Sequence, residues 1–430
     1  MRTSPVVDVA ESPRRAQPEI WKQARSRDKP LYAAGVDAGS SRTRCVICEV
    51  EDQRIRFLGA GSVPSQGWQR GRVADPNAIS NSIQAAVNQA ETRARALVDC
   101  VVVGVGGISI ESGQGRGLYE LGRAREIAPE DLVYAVDLAS RVRLEDDSML
   151  VHVLPQDFTV DGRSGYRYPA GVSAARLEAN VLLVTCSEKE HDCLVSAAHH
   201  AHLSVEDTVF ESVAAAYAAI LPAERERGAA LIDLGMHSTG VVVYEGEAAA
   251  GAASLPIASD HLTRDVVTGL QRLHQVPVSY EDAEMLKREY GCAMLGLTAD
   301  STLIDVPSSD SRGSREITRR QLNEILEARA EELFLHVKEE IRRCGMDRAL
   351  MQGVYLTGGG ARLAGMLDMA EKILNCHARF GLIEGILDWP RNFQDPAWTV
   401  AAGLSMYSAR LKLDRSERRK PPGLLGLFGW

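Results

Sequence analysis

The chain has 430 residues, 45% of them hydrophobic and 25% charged, and a formal net charge of −9. That length exceeds what one compact core organises, which predicts two large domains or four smaller ones, and the acidic balance argues against non-specific nucleic-acid binding over the whole surface. No run approaches the roughly 18 consecutive apolar residues of a membrane span and the N-terminus lacks the apolar core of a secretory signal, so the cytoplasm is the expected compartment and any membrane attraction must be local.

Residues 1–29 mix Pro, Arg, Ser and Gln with little apolar periodicity and read as a disordered, mildly basic extension. Order is expected from Leu31. Leu31–Asp37, Thr43–Val50 and Ile55–Ala60 are three predicted strands joined by short turns, an antiparallel start to a sheet. Cys45 and Cys48 fall in the second of them, and their odd spacing puts them on opposite faces; the eight cysteines are expected to be reduced core thiols rather than a disulfide framework. A helix follows, opened by Asp75 as cap and Pro76 at its first position, with Ile79, Ile83, Val87 and Ala90 on one face. Val101–Val105 reads as a buried strand. Gly113-x-Gly115-x-Gly117 precedes no phosphate-binding helix and reads as a flexible loop. His191, Cys193, His199, His200 and His202 cluster on a predicted helix, but no i, i+4 histidine pair supports a zinc site.

A second set of strands comes later. Ala229–Leu234 and Gly240–Tyr244 form a predicted hairpin, and Gly353–Leu356 runs into Thr357 and the triple glycine Gly358, Gly359, Gly360. Residues 260–350 read as mostly helical, with Leu322, Ile325, Leu326, Leu333 and Val337 in register. The halves echo each other: in both, a strand ends in an acidic residue and a small-residue turn before an antiparallel strand resumes.

Those turns carry the candidate chemistry. In the first, Gly39 allows close backbone approach, Ser40 and Ser41 add hydroxyl donors, Arg42 is placed to reach a phosphate, and Asp37 to hold Mg²⁺ through water. Taken alone, a hairpin turn capped by Asp and Ser explains this motif more simply. The second turn, with Asp233, Gly235, His237 and Ser238, changes the balance, because two such turns facing each other clamp a triphosphate from both sides. Asp233 is the second candidate Mg²⁺ contact. Gly358–Gly360, with Arg362 just beyond, fits a backbone lying against an adenosine, although glycine at a strand-to-helix turn also has a steric explanation. Glu284 and Lys287 share a helix face and reach either a ribose and base or only each other.

The order of first phosphate turn, connecting helix Glu211–Ala216, second phosphate turn, Glu284-x-x-Lys287, Thr357-Gly-Gly-Gly360 and a last helix over Asp395–Leu404 resembles the actin, heat-shock-chaperone and sugar-kinase superfamily. Val151-His152-Val153-Leu154-Pro155-Gln156-Asp157-Phe158, then Asp161-Gly162, Pro169-x-Gly171 and Arg176-Leu177-Glu178-Ala179, resembles the insertion peculiar to one branch, the FtsA family of bacterial cell-division proteins. The similarity runs from about Leu31 to Leu411. It implies an α/β, actin-like two-lobed ATPase fold of duplicated RNase H-like domains. Its expected parts are a first lobe over 30–110 and 186–226, an inserted subdomain over 111–185, a second lobe over 227–258 and 351–411 with a helical subdomain over 259–350, and a basic linker and tail over 412–430.

The resemblance further implies binding of ATP and Mg²⁺, self-association into filaments, binding of FtsZ through the second lobe, and contact with later division proteins through the insertion. Nucleic acid has no part in it, and the expected location is the cytoplasmic face of the inner membrane at the division site. An actin-like pilus-assembly protein and a small-molecule kinase share the fold and remain alternatives. The second phosphate turn departs from the family's Asp-Ile-Gly-Gly-Gly-Thr-x-Asp: Met236 and His237 replace two glycines, and Gly240 stands where an acidic residue is common. Nucleotide binding is therefore a firmer expectation than hydrolysis, which is at most slow.

In the tail, Leu424, Leu425, Leu427, Phe428 and Trp430 cover one side of a helical wheel with glycines on the other, and a basic run at 410–420 sits upstream. That pattern suits a peripheral anchor on an anionic membrane, or docking on the protein's own second lobe.

Overall fold

The computed structural model describes residues 30–51, 53–299, 301–307, 314–346 and 350–417, so the N-terminal extension and the amphipathic tail lie outside the described residues. The first lobe opens with β1 (Leu31–Ala38), β2 (Arg42–Glu51) and β3 (Arg54–Pro64), paired antiparallel with Asp37 opposite Arg44. A small hairpin of β4 (Trp68–Gln69) and β5 (Arg72–Val73) leads to α1 (Pro76–Ala94), where the Asp75 carboxylate accepts the amides of Asn77 and Ala78 and Pro76 fills a position that needs no donor. Ile79, Ile83, Val87 and Ala90 of α1 are buried with Cys45 and Ile47 on one face of the sheet, whereas Cys48 faces the other side beside Trp398 and Ala401. The period-2 rule thus separates the two thiols as expected.

After β6 (Cys100–Val105) the chain leaves the lobe as an insert of β7 (Glu111–Glu126), α2 (Pro129–Ser140), β8 (Ser148–Val160), β9 (Arg163–Tyr166) and β10 (Ser173–Ser187), with sheet order β7-β10-β8-β9. It returns through α3 (Glu188–His200), β11 (Ser204–Phe210) and α4 (Glu211–Ala219). A one-turn helix α5 (Pro222–Arg225) precedes the second lobe: β12 (Ala229–Leu234), β13 (Thr239–Glu245), β14 (Ala248–Leu255), α6 (Ser259–His274), α7 (Tyr280–Tyr290), β15 (Leu303–Pro307), β16 (Ser314–Thr318), α8 (Arg319–Arg343), β17 (Gly353–Thr357), α9 (Met366–Leu374) and β18 (Ala378–Phe380). A short β19 (Ile386–Leu387) rejoins the first sheet, and α10 (Thr399–Glu417) closes the fold. The sheets run β11-β6-β1-β2-β3-β19 and β14-β13-β12-β17-β18. In each, a hairpin ending in an aspartate has a parallel partner on its inner side, β6 for the first and β17 for the second. The repeat read from sequence is a repeat of topology.

Two expectations change and one, the mostly helical 260–350 region, gains a strand pair. Gly115 and Gly117 lie inside β7, not in a loop; α2 crosses so closely that a Cβ at Gly117 would overlap the Ala135 carbonyl. The 260–350 region contains the β15–β16 hairpin, whose Ile304, Val306 and Ile317 are buried while their neighbours point outward. The last helix continues through Leu411 to Glu417, and Lys412 and Arg415 pair with Glu206 of β11 at 3.0 and 3.1 Å, so this part of the basic run is folded against the first lobe.

The insert also touches the second lobe. Ser112 Oγ donates to the Ala252 carbonyl, and the Gln156 amide donates to the carbonyls of Ala249 and Ala250, all on the outer strand β14. Leu154, Leu182 and Val184 share a core with Tyr244, Ala249 and Ala252. Towards the first lobe, the Phe210 amide donates to His152 Nε2 at 2.9 Å, and burial drives this histidine's pKa down to about 4. A base held neutral in the fold stabilises it fully above the unfolded pKa of about 6.5 and loses that contribution as pH falls toward 4. Relative to His152→Gln, the wild-type protein should therefore lose about 3 kcal/mol of stability between pH 6.5 and 4, a difference that calorimetry of the two proteins across that interval measures.

Candidate functional site

The first turn is anchored by Ser65, whose hydroxyl donates to the Gly39 carbonyl at 2.6 Å and whose amide donates to the Ser41 carbonyl. Ser41 is exposed and Ser40 half-buried. Arg42 is turned toward β3, donating to Ser62 Oγ at 2.9 Å, while Arg44 faces Asp37 at 3.5 Å. Of the two arginines, the one the turn motif did not single out is therefore the partner of the aspartate. The second turn is bound to α6: the amides of Ser259 and Asp260 donate to the carbonyls of Gly235 and Met236. The Ser40 hydroxyl and His237 Nδ1 are hydrogen-bonded at 2.9 Å, so the two turns meet side chain to side chain. Ser238 occupies the same turn, its carbonyl accepting the Gly235 amide.

Gly240 has a steric reason. It sits opposite Asp233 in the hairpin, and a Cβ there would overlap Ser212 Oγ on α4. The first turn of α4 occupies the space that the family's acidic side chain needs.

That helix also brings a carboxylate the motif reading missed. Glu211 opens α4 and lies against Gly106, where a Cβ would collide with its carboxyl group. Burial raises its pKa well above the usual carboxylate range, and the charges of Asp37 and Asp233 raise it further. Burial and Asp37 push Asp233 to about 6, while a hydrogen bond from Thr357 Oγ1 at 3.0 Å opposes them. Asp37 is raised by burial and held back by Arg44. The signal for Glu211 was an acidic residue opening an otherwise apolar, alanine-rich helix directly after the buried Val209 and Phe210; such a helix leaves the carboxylate nowhere to go but inward. Three carboxylates from both lobes and the connecting helix feel one another's charge, a set of hard oxygen donors that suits Mg²⁺. No trio of His, Cys, Asp or Glu among the described residues is spaced to hold a bare metal ion.

The triple glycine follows β17. Gly358 has φ +81°, and a Cβ would press on Asp233 Oδ1 and the Leu234 carbonyl. Gly359 faces open space, with nothing within 4 Å of a Cβ built on it, and Gly360 is buried against Leu234 and Ser259. Arg362 forms a bidentate pair with Asp395, and both burial and the guanidinium groups of Arg44, Arg288 and Arg42 lower its basicity. These arginines come from both lobes, a cationic surround that an anionic ligand would relieve.

Glu284 and Lys287 are not a solvated pair. Lys287 is buried at 5% exposure, 2.6 Å from Glu284, and donates to Thr263 Oγ1 and Ser259 Oγ at 2.8 and 3.0 Å. Burial lowers its pKa despite the carboxylate beside it. The pair joins α7 to the first turn of α6, one turn away from the second phosphate turn. The histidine cluster does not converge: His202 lies beyond α3, and His191 bonds to Thr208 and Asp192.

Residues 230–403 match the family model "Cell division protein FtsA", and residues 107–185 match "SHS2 domain inserted in FTSA". The cell division protein FtsA of Pseudomonas aeruginosa is 33% identical over 384 residues, covering 88% of this chain and 90% of the relative. That of Escherichia coli is 29% identical, with 91% and 93% covered, and that of Bacillus subtilis 28%, with 88% and 84% covered. Among solved structures, a PilM-PilN type IV pilus biogenesis complex aligns with a TM-score of 0.59 at 16% identity over 88% of this chain and 98% of the other. MreB5 of Spiroplasma citri bound to AMPPNP aligns with a TM-score of 0.56 at 12% identity, covering 90% and 98%. At these identities the structural neighbours establish an actin-like fold and nothing more.

Proposed function

The chain belongs to the FtsA family of cell-division proteins, and on that footing we propose that it binds ATP with Mg²⁺ between its lobes and tethers FtsZ polymers to the inner membrane. The observation that carries the nucleotide reading is the meeting of the two turns around Asp37, Asp233 and Glu211. Ser40, Ser41 and the turn amides would receive phosphate oxygens, and the three carboxylates would hold Mg²⁺ largely through water. Gly359 and the Glu284–Lys287 pair would face the adenosine. Bound Mg²⁺ supplies charge neutralisation for the phosphates; the chain supplies donors fixed in place on both lobes.

In this reading ATP is a structural ligand that favours a closed, filament-forming state by the difference of its affinities for the open and closed forms. The second lobe binds FtsZ, the insert contacts later division proteins, and Leu424, Leu425, Leu427, Phe428 and Trp430 enter the membrane interface. Lys412 and Arg415 are engaged by Glu206, and Arg418, Arg419 and Lys420 add attraction to anionic lipid at roughly 1 kcal/mol each near the surface. Co-sedimentation with phosphatidylglycerol-containing vesicles and purified FtsZ, with and without ATP, tests the tether. The protein should carry FtsZ down, and Phe428→Glu with Trp430→Glu should release both without altering ATP affinity. FtsZ that stays in the supernatant with the wild-type protein would count against the reading.

Hydrolysis should be slow, well under one turnover per second, since the position of Gly240 has no room for a carboxylate and Glu211 alone must orient water. A phosphate-release assay measures this, and Glu211→Gln should remove what activity there is. Several turnovers per second would contradict the assignment.

A further inference from the structure

His237 stands where the family pattern has glycine, and its side chain leaves the second lobe to enter the first. Besides the hydrogen bond to Ser40, its Cβ lies against Gly71, in the turn between β4 and β5; a Cβ on Gly71 would come within 2.8 Å of it. Both walls of this notch are fixed. The Ser40 turn is held by Ser65, and the segment carrying Gly71 is closed by the Gly67 carbonyl, which accepts the amides of Ala74 and Asp75 at the cap of α1. The base of the imidazole is fixed as well, since Met236 accepts the Asp260 amide and Gly235 is held by Ser238. Burial lowers the basicity of the ring, which favours a neutral hydrogen-bonding partner for the serine hydroxyl.

We propose that His237 is an interlobe latch, seated between Ser40 and Gly71 of the first lobe, that holds the two phosphate turns together. A glycine at this position leaves no side chain to cross the gap; the histidine makes closure partly a property of the chain itself. Opening the cleft then requires the imidazole to leave its notch. Only the consequence for nucleotide exchange rests on the cleft being an ATP site: entry and exit are slowed by the fraction of time the latch is shut.

The test is hydrogen exchange by mass spectrometry on the full chain without nucleotide, following residues 39–42 and 70–72. One neutral hydrogen bond with its packing contact predicts about three- to tenfold faster exchange there in His237→Ala. Ser40→Ala should give a comparable change, the double variant should add little to either, and His237→Gln, which keeps a hydrogen-bonding arm, should recover part of the protection. Exchange in α6 and the thermal midpoint should stay near wild type, which distinguishes a latch from general loosening of the second lobe. Unchanged exchange in both segments, or additive effects of the two substitutions, would overturn the proposal. A second measurement is the dissociation rate of a fluorescent ATP analogue, expected to rise in His237→Ala by a similar factor. If the exchange pattern appears but the analogue binds no variant, wild type included, the latch stands and the nucleotide assignment fails.

Discussion

A fluorescent ATP analogue titrated into Gly359→Leu should bind at least about tenfold more weakly than to wild type, a loss of about 1.4 kcal/mol or more, while the thermal midpoint stays within about 2 °C. The choice among the three glycines decides how informative the result is. At Gly358 any side chain is strained by φ +81° and meets Asp233, and at Gly360 it meets the Leu234 carbonyl, so either substitution would damage the fold and confuse the reading. Gly359 has open space where its Cβ would go. A leucine there costs the empty protein little and fills the volume that the adenosine reading assigns to the ligand. Wild-type affinity in a correctly folded variant would remove the triple glycine from the site.

The second large effect is expected at Asp37. Asp37→Asn should lower Mg²⁺-dependent ATP affinity at least about tenfold, yet the thermal midpoint of the nucleotide-free protein should not fall at pH 7.5. Asp37 is buried, and its charge raises the pKa of both Asp233 and Glu211. Removing it relieves a repulsion between carboxylates held together without a cation, against which stands the loss of the long 3.5 Å contact with Arg44. Groups kept in mutual repulsion are poor contributors to stability and good indicators of a functional site. Titrations with and without Mg²⁺, alongside calorimetry, separate the two effects. Unaltered Mg²⁺ dependence in Asp37→Asn would place the cation elsewhere.

What the sequence made legible follows the range of the forces involved. The β1–β2 hairpin, the Asp75 cap of α1 and the β12–β13 hairpin rest on neighbours within a few residues, and local patterns describe such contacts well. Gly115 and Gly117 failed as a loop because their role lies in a helix that crosses their strand; only the tertiary crossing tells a packing glycine from a flexible one. The β15–β16 hairpin was hidden by the strong helical periodicity of α8 next to it, although Ile304 and Val306 alternate with polar neighbours. At the site, the two turns and the glycines were visible as motifs. Arg44, Glu211 and the occupant of the space beside Gly240 were not, since Arg44 is set by pairing across the first hairpin, Ser212 meets Gly240 only through the packing of α4 on β13, and Glu211 feels the charge of Asp37 from the other end of the lobe's chain path.

The insert rests on two bodies at once. Through His152 it touches the residue that precedes Glu211, and through Ser112 and Gln156 it grips the carbonyls of β14 on the far lobe. A module that bridges two bodies cannot be indifferent to the angle between them: any ligand that changes that angle must strain or relieve these contacts. By thermodynamic reciprocity, whatever factor such a ligand imposes on a partner's affinity for the insert, the partner imposes on the ligand. The insert is thus tied to both lobes, by three backbone carbonyls of one edge strand on one side and by the Phe210 amide on the other.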